Sequence, residues 1–98
     1  MRRDVYQAIA DPVRRDIIQL LSKQALNVTS VVEHYEISRP AISRHLRILR
    51  ECGIVTVNKD GRSRIYEIEP KMLKMAFNWI DQYKELWKQN NNIPLSPN

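Results

Sequence analysis

Apolar residues in the first half of the chain recur at helical intervals. Val5, Ala8 and Ile9 share one face of a short first helix, which Asp11 and Pro12 interrupt as an N-cap followed by a first-turn proline does. Val13, Ile17, Leu20 and Leu21 then follow the i, i+4, i+7, i+8 pattern of a second helix, with Arg14, Arg15 and Asp16 mostly on its other side. Asn27 can cap a third helix carrying Val28, Val31, Val32 and Tyr35, and Ile37 falls in a short connection to Ser38. Ser38 is a good N-cap for a fourth helix, and Pro40 sits in the first turn, where its missing N–H costs nothing. Ile42, Leu46 and Leu49 form a narrow stripe on that helix, so the rest of its surface faces solvent. Gly53 closes it as a left-handed C′ residue.

From Ile54 the period changes to two. Val55 and Val57 alternate with Thr56 and Asn58, Asp60-Gly61 is a two-residue hairpin signal, and Tyr66 and Ile68 alternate with Glu67 on the return. Pro70 opens a last helix with no breaker for about twenty residues, up to the run Asn90 to Asn92. That helix is apolar on two sides: Leu73, Phe77, Ile80, Tyr83 and Trp87 make one stripe, and Met72, Met75, Trp79 and Leu86 another. So small a domain needs only one for its own core. The other, together with the first helix, is read as packing on a second copy of the chain, a homodimer interface formed by Val5, Ile9, Met72, Met75, Trp79, Tyr83, Leu86 and Trp87. The competing reading buries both stripes within the monomer. Residues 1–90 thus form one mainly helical domain with a small β-hairpin, followed by a tail, 91–98, read as disordered.

Composition narrows the class. A chain of 98 residues hides only roughly 60–65% of its unfolded surface on folding, so a partner surface helps it. No apolar run approaches the ~20 residues of a membrane span. The N-terminal arginines lack the apolar stretch of a secretory signal, and one cysteine suits a reducing cytoplasm. The net charge of +5 lies wholly in residues 39–64, where Arg39, Arg44, Arg47, Arg50, Lys59, Arg62 and Arg64 face only Glu51 and Asp60. Such clustering predicts a polyanionic partner, unless the run is merely a solvated face.

Two short helices with a tight turn, the second starting Ser-Arg-Pro-Ala and exposing basic residues, followed by a hairpin, is the order of a winged helix-turn-helix: four helices, two strands and a fifth helix. A helix of this kind enters the major groove of double-stranded DNA with its first turns on base edges. Arg39, Ser43, Arg44 and His45 are therefore expected nearest the bases, although a packing role suits His45 nearly as well. Ser38, Arg47, Arg50, Lys59, Arg62 and Arg64 are expected on phosphates. Cys52 reads as a structural thiol, since a helix C-terminus disfavours a thiolate. An enzyme is a poor match: two glycines make no phosphate loop, and no nucleophile, base and acid stand at a motif's spacing. No cofactor is expected. The remaining rival is a winged-helix module that binds proteins without reading DNA.

Ser38-Arg39-Pro40-Ala41-Ile42-Ser43-Arg44-His45-Leu46-Arg47-Ile48-Leu49 resembles the recognition helix of ArsR-type bacterial repressors. Ala10-Asp11-Pro12-Val13-Arg14-Arg15 resembles the family's opening of the second helix, and Gly53-Ile54-Val55 with Gly61-Arg62-Ser63-Arg64-Ile65-Tyr66 its wing. The resemblance runs from about residue 5 to 88. It implies a homodimer held by terminal helices, bound to inverted-repeat operators and repressing transcription, often of its own operon. Many members sense metals, but Leu26 to Val32 lacks their Cys-x-Cys, and the last helix has no histidine. Cys52, His34 and His45 are too scattered for a tetrahedral site, so no metal site is expected. Trp79, Tyr83 and Trp87 match the branch without metal sites. They serve either the interface or a pocket for an apolar effector, and nothing in the sequence identifies such an effector.

Overall fold

The computed structural model describes residues 4–89, with side chains through residue 86. Its elements are α1 (Val5–Ala8), α2 (Pro12–Lys23), β1 (Leu26–Asn27), α3 (Val28–Val32), α4 (Arg39–Glu51), β2 (Val55–Asp60), β3 (Ser63–Ile68), α5 (Pro70–Asp81) and α6 (Lys84–Gln89). The fold is a winged helix-turn-helix, with three antiparallel strands in the order β1-β3-β2.

Local chemistry sets the helix starts. Asp11 Oδ1 accepts from the backbone N–H of Val13 at 2.8 Å and of Arg14 at 3.2 Å, with Pro12 at N1 of α2. Asn27 Oδ1 accepts from Ser30 N–H at 2.8 Å, and Ser38 Oγ from Ala41 N–H at 3.3 Å. Asp4 and Gln7 form a capping box on α1. At the far end of α4, Gly53 adopts φ 84°, and two bonds close a Schellman motif: Gly53 N–H to the Arg50 carbonyl at 3.0 Å and Ile54 N–H to the Leu49 carbonyl at 3.2 Å. Leu49 and Ile54, the pair this motif brings together, are both fully buried.

Ile17 and Leu21 of α2, Val31 of α3, Ile42, Leu46, Ile48 and Leu49 of α4, and Ile54 and Val55 at the wing base form one continuous core, with Cys52 inside it. The buried face of α4 is therefore wider than the three-residue stripe of the sequence pattern. Val5, expected at a dimer interface, is instead a core residue at 5% exposure.

Three further expectations change. The hairpin loop is Gly61-Arg62, one residue later than the Asp60-Gly61 signal, because Asp60 pairs with Ser63. Gly61 has φ 64° and no other described residue except Gly53 has positive φ, as a type II′ loop requires. The wing gains a third strand: Leu26 pairs with Tyr66 and Asn27 with Ile65, a bridge too short to show a period. The last helix breaks at Gln82-Tyr83, where the bonds tighten to Tyr83 N–H on the Ile80 carbonyl and Leu86 N–H on the Tyr83 carbonyl, both 3.1 Å. No glycine or proline causes the break. Packing supplies most helical stability, and the core contacts of α5 end at Met72, Leu73 and Ala76. Neither expected stripe is buried beyond that point: Phe77 is 66% exposed, Ile80 39%, Trp79 51%, Tyr83 43% and Leu86 49%, and Met75, just before it, is 55% exposed. The Trp87 side chain and the tail 91–98 lie outside the described residues.

Candidate nucleic-acid interface

The α3 and α4 pair builds the site. At about 100° per residue, Ser43, Arg47 and Arg50 align along α4 with Arg39 and Arg44 to either side, and all five are exposed. The opposite arc, with Ile42, Leu46, Ile48, Leu49 and Cys52, is anchored in the core. Four arginines thus share one rigid, solvent-facing surface, with none of them in a salt bridge among the described residues.

His45 stands apart from the other candidates for base contact. It falls in the middle of the anchored arc, roughly 160° around the helix from Ser43, and its Nδ1 is buried without a hydrogen-bond partner. Burial raises the Asp11 carboxyl's pKa, but the Val13 and Arg14 N–H bonds and the Arg14 and His45 charges outweigh it and leave the pKa lowered. His45 thus lies on the opposite side of α4 from the exposed arginines, partly buried.

Arg14 and Arg15 have structural work. Arg14 donates from Nε to the Ala8 carbonyl at 3.2 Å and from Nη2 to the Gln7 carbonyl at 2.8 Å, and Arg15 Nη1 donates to the Ile9 carbonyl at 2.8 Å. These bonds satisfy the last carbonyls of α1 and fix it against α2.

The wing carries Lys59 and Arg64 directly opposite one another, hence on one face, with Arg62 in the loop. The other face carries Asn58, whose Nδ2 donates to Glu67 Oε1 at 2.7 Å. Because β1 pairs with β3, the start of α3 lies beside the wing, and Arg39, Arg62 and Arg64 meet there around a cleft of about 340 Å³ with Asn27, Val28, Thr29 and Ser63. Arg39 Nη1 donates to Thr29 Oγ1 at 3.1 Å. Thr29 escaped the sequence reading because ten positions separate it from Arg39, and neither periodicity nor motif links them.

On the side of α1 and α5, Tyr6 and Trp79 have ring centroids 5.6 Å apart, and Trp79 and Tyr83 5.1 Å, all three rings being partly exposed. Among the described residues no group of three or more His, Cys, Asp or Glu stands together as metal ligands, and none of the described helices is long and apolar enough to cross a membrane. Cys52 is buried, and the His34 ring nitrogen Nδ1 is engaged with the Ser30 carbonyl at 2.7 Å.

Comparison with known proteins gives a uniform result. The bacterial regulatory protein, arsR family, matches over residues 11–57. The transcriptional repressor SdpR of Bacillus subtilis is 34% identical over 79% of this chain and 86% of its own length. The HTH-type transcriptional regulator Rv2034 of Mycobacterium tuberculosis is 32% identical over 80% of this chain and 73% of its own. A crystal structure described as a possible transcriptional regulator for arsenical resistance superposes with a TM-score of 0.81 at 36% identity, covering 94% of this chain and 98% of that one.

Proposed function

We propose that this chain, which belongs to the ArsR family of DNA-binding bacterial regulatory proteins and is not an enzyme, acts in the cytoplasm as a homodimeric repressor on inverted-repeat operators. The observation that carries this reading is the split between two surfaces: exposed arginines on α4 and the wing, and exposed apolar side chains on α5 and α6. Arginine on a helix that fits the major groove can form a bidentate pair with guanine, and Arg44, near the helix start and free of the wing, is the residue best suited to do so. Arg47, Arg50, Lys59, Arg62 and Arg64 supply charge for phosphates, which hold the protein on the duplex without specifying sequence.

The apolar side argues for the second subunit. Met75, Trp79, Tyr83 and Leu86 expose large side chains that water penalises, and adjoining patches of this kind on soluble proteins mark association surfaces. A two-fold dimer that presents both copies of α4 to one duplex would read a pseudo-palindromic site with half-sites about one helical turn, ~34–36 Å, apart. Occupying a promoter in this way represses by exclusion.

Selection of bound duplexes from a random library tests the reading. It is expected to enrich an inverted repeat; enrichment of a single unpaired half-site would remove the dimer, and no enrichment above background would remove sequence reading.

A further inference from the structure

We propose that the cleft between the start of α4 and the wing is a phosphate clamp, in which Arg39, positioned by Thr29, joins Arg62 and Arg64 around one phosphodiester of the DNA backbone. The assignment rests on the DNA-binding reading and changes the part played by Arg39 within it. On helical position alone Arg39 belongs with the base-reading side chains of the first turn. Its guanidinium, however, is drawn sideways to Thr29 Oγ1 at 3.1 Å, a residue of α3, and towards the wing.

Three observations support an anion in the cleft. First, none of the seven residues lining it is acidic, while three are arginines and Asn27, Thr29 and Ser63 add polar groups. Second, Arg64 lies directly opposite Lys59 across the hairpin, a like-charge pair that destabilises a ribbon unless a counter-charge sits beside it. Third, the parts are held by separate restraints: the β1 to β3 pairing fixes the wing against α3, and the Asn27 and Ser38 caps fix where α3 and α4 begin. A phosphodiester, whose one negative charge is shared by two acceptor oxygens, suits guanidinium donors converging from two elements. Docking a phosphate there also sets the angle of α4 in the groove, because the backbone is gripped beside the end of the helix that meets the bases.

The test is binding of the full chain to its selected duplex and to a scrambled duplex over a series of salt concentrations. Arg39→Ala is expected to weaken both duplexes by a similar factor, about tenfold, and to flatten the salt dependence by about one phosphate. Thr29→Val should shift both in the same direction by a smaller factor, and Thr29→Ser should restore them, since it keeps the hydroxyl. Arg64→Ala should reproduce the Arg39→Ala signature, and the double variant should lose less than the product of the two single losses, because both act on one phosphate. Loss of discrimination between duplexes in Arg39→Ala with an unchanged salt slope would make Arg39 a base reader and overturn the clamp, leaving DNA binding intact. Unchanged binding in both single arginine variants would also overturn it. If inorganic pyrophosphate raises the melting temperature of the wild type but not of Arg39→Ala, while both bind DNA alike, the cleft serves a free phosphorylated ligand and the DNA assignment fails. Failure of the wild type on every duplex would instead defeat the DNA-binding reading itself.

Discussion

At the scale of single residues, charge and position on a helix decide what each side chain does. Asp11 shows this for stability. Its folded-state pKa is lowered, so the native state holds the carboxylate more strongly than the unfolded chain does. That contribution is fully present above the unfolded carboxyl pKa of about 3.9 and is lost as pH falls through the lower folded value. Asp11→Ala should therefore cost about 1 kcal/mol in urea unfolding at neutral pH, with the gap to wild type narrowing in acid. Asp11→Asn, which caps nearly as well, should cost less and show little pH dependence. On the proposed reading the neighbours Arg44 and His45 have opposite roles. Arg44→Ala should reduce discrimination between operator and scrambled duplex by roughly 1–3 kcal/mol, measured by competition binding, while His45→Ala should lower the unfolding midpoint and leave discrimination nearly unchanged. Equal loss of discrimination in both would return His45 to the groove.

At the scale of elements, the starts and stops were the most legible part of the sequence. Asp11-Pro12, Asn27, Ser38 and Gly53 each signal a helix boundary through one local hydrogen-bonding or conformational requirement, and each boundary lies where that requirement puts it. Gly53→Ala forces a Cβ into left-handed backbone and should destabilise the domain by about 1–2 kcal/mol, read as a fall in denaturant midpoint with the slope unchanged. What the pattern hid were features set by contact between distant parts. β1 exists because Leu26 and Asn27 meet Ile65 and Tyr66 across about forty intervening residues, and the α5 to α6 break follows from where the core ends. The same limit hid Thr29 beside Arg39 and the inward turn of His45. The apolar stripes of the last helix were legible, but their burial was not, since periodicity cannot distinguish a protomer's own core from a partner's surface. Trp79 sits between Tyr6 and Tyr83 at half exposure. Trp79→Ala should weaken self-association about thirtyfold or more by sedimentation, as central interface aromatics do, while the protomer's helical content holds. An unchanged association constant would place the interface elsewhere.

At the scale of the whole molecule, charge and shape point the same way. Residues 39–64 carry the entire excess of +5, and these residues form α4 and most of the wing, so the excess positive charge is concentrated on those two elements. The radius of gyration is 15.4 Å, above the ~13 Å of a compact domain of this length, as expected of a protomer whose last helices extend past its own core. The clustering of charge was readable from sequence because it is a property of consecutive residues. Convergence of Arg39, Arg62 and Arg64 needed the fold.

Binding of the purified protein to the duplex upstream of its own coding sequence, at two salt concentrations and with unrelated competitor DNA, tests sequence-specific DNA binding most directly. The expected result is a complex that resists competitor and weakens steeply as salt rises, because several phosphates must release counterions. A complex that competitor abolishes on this duplex and on every selected duplex, or one indifferent to salt, would contradict it.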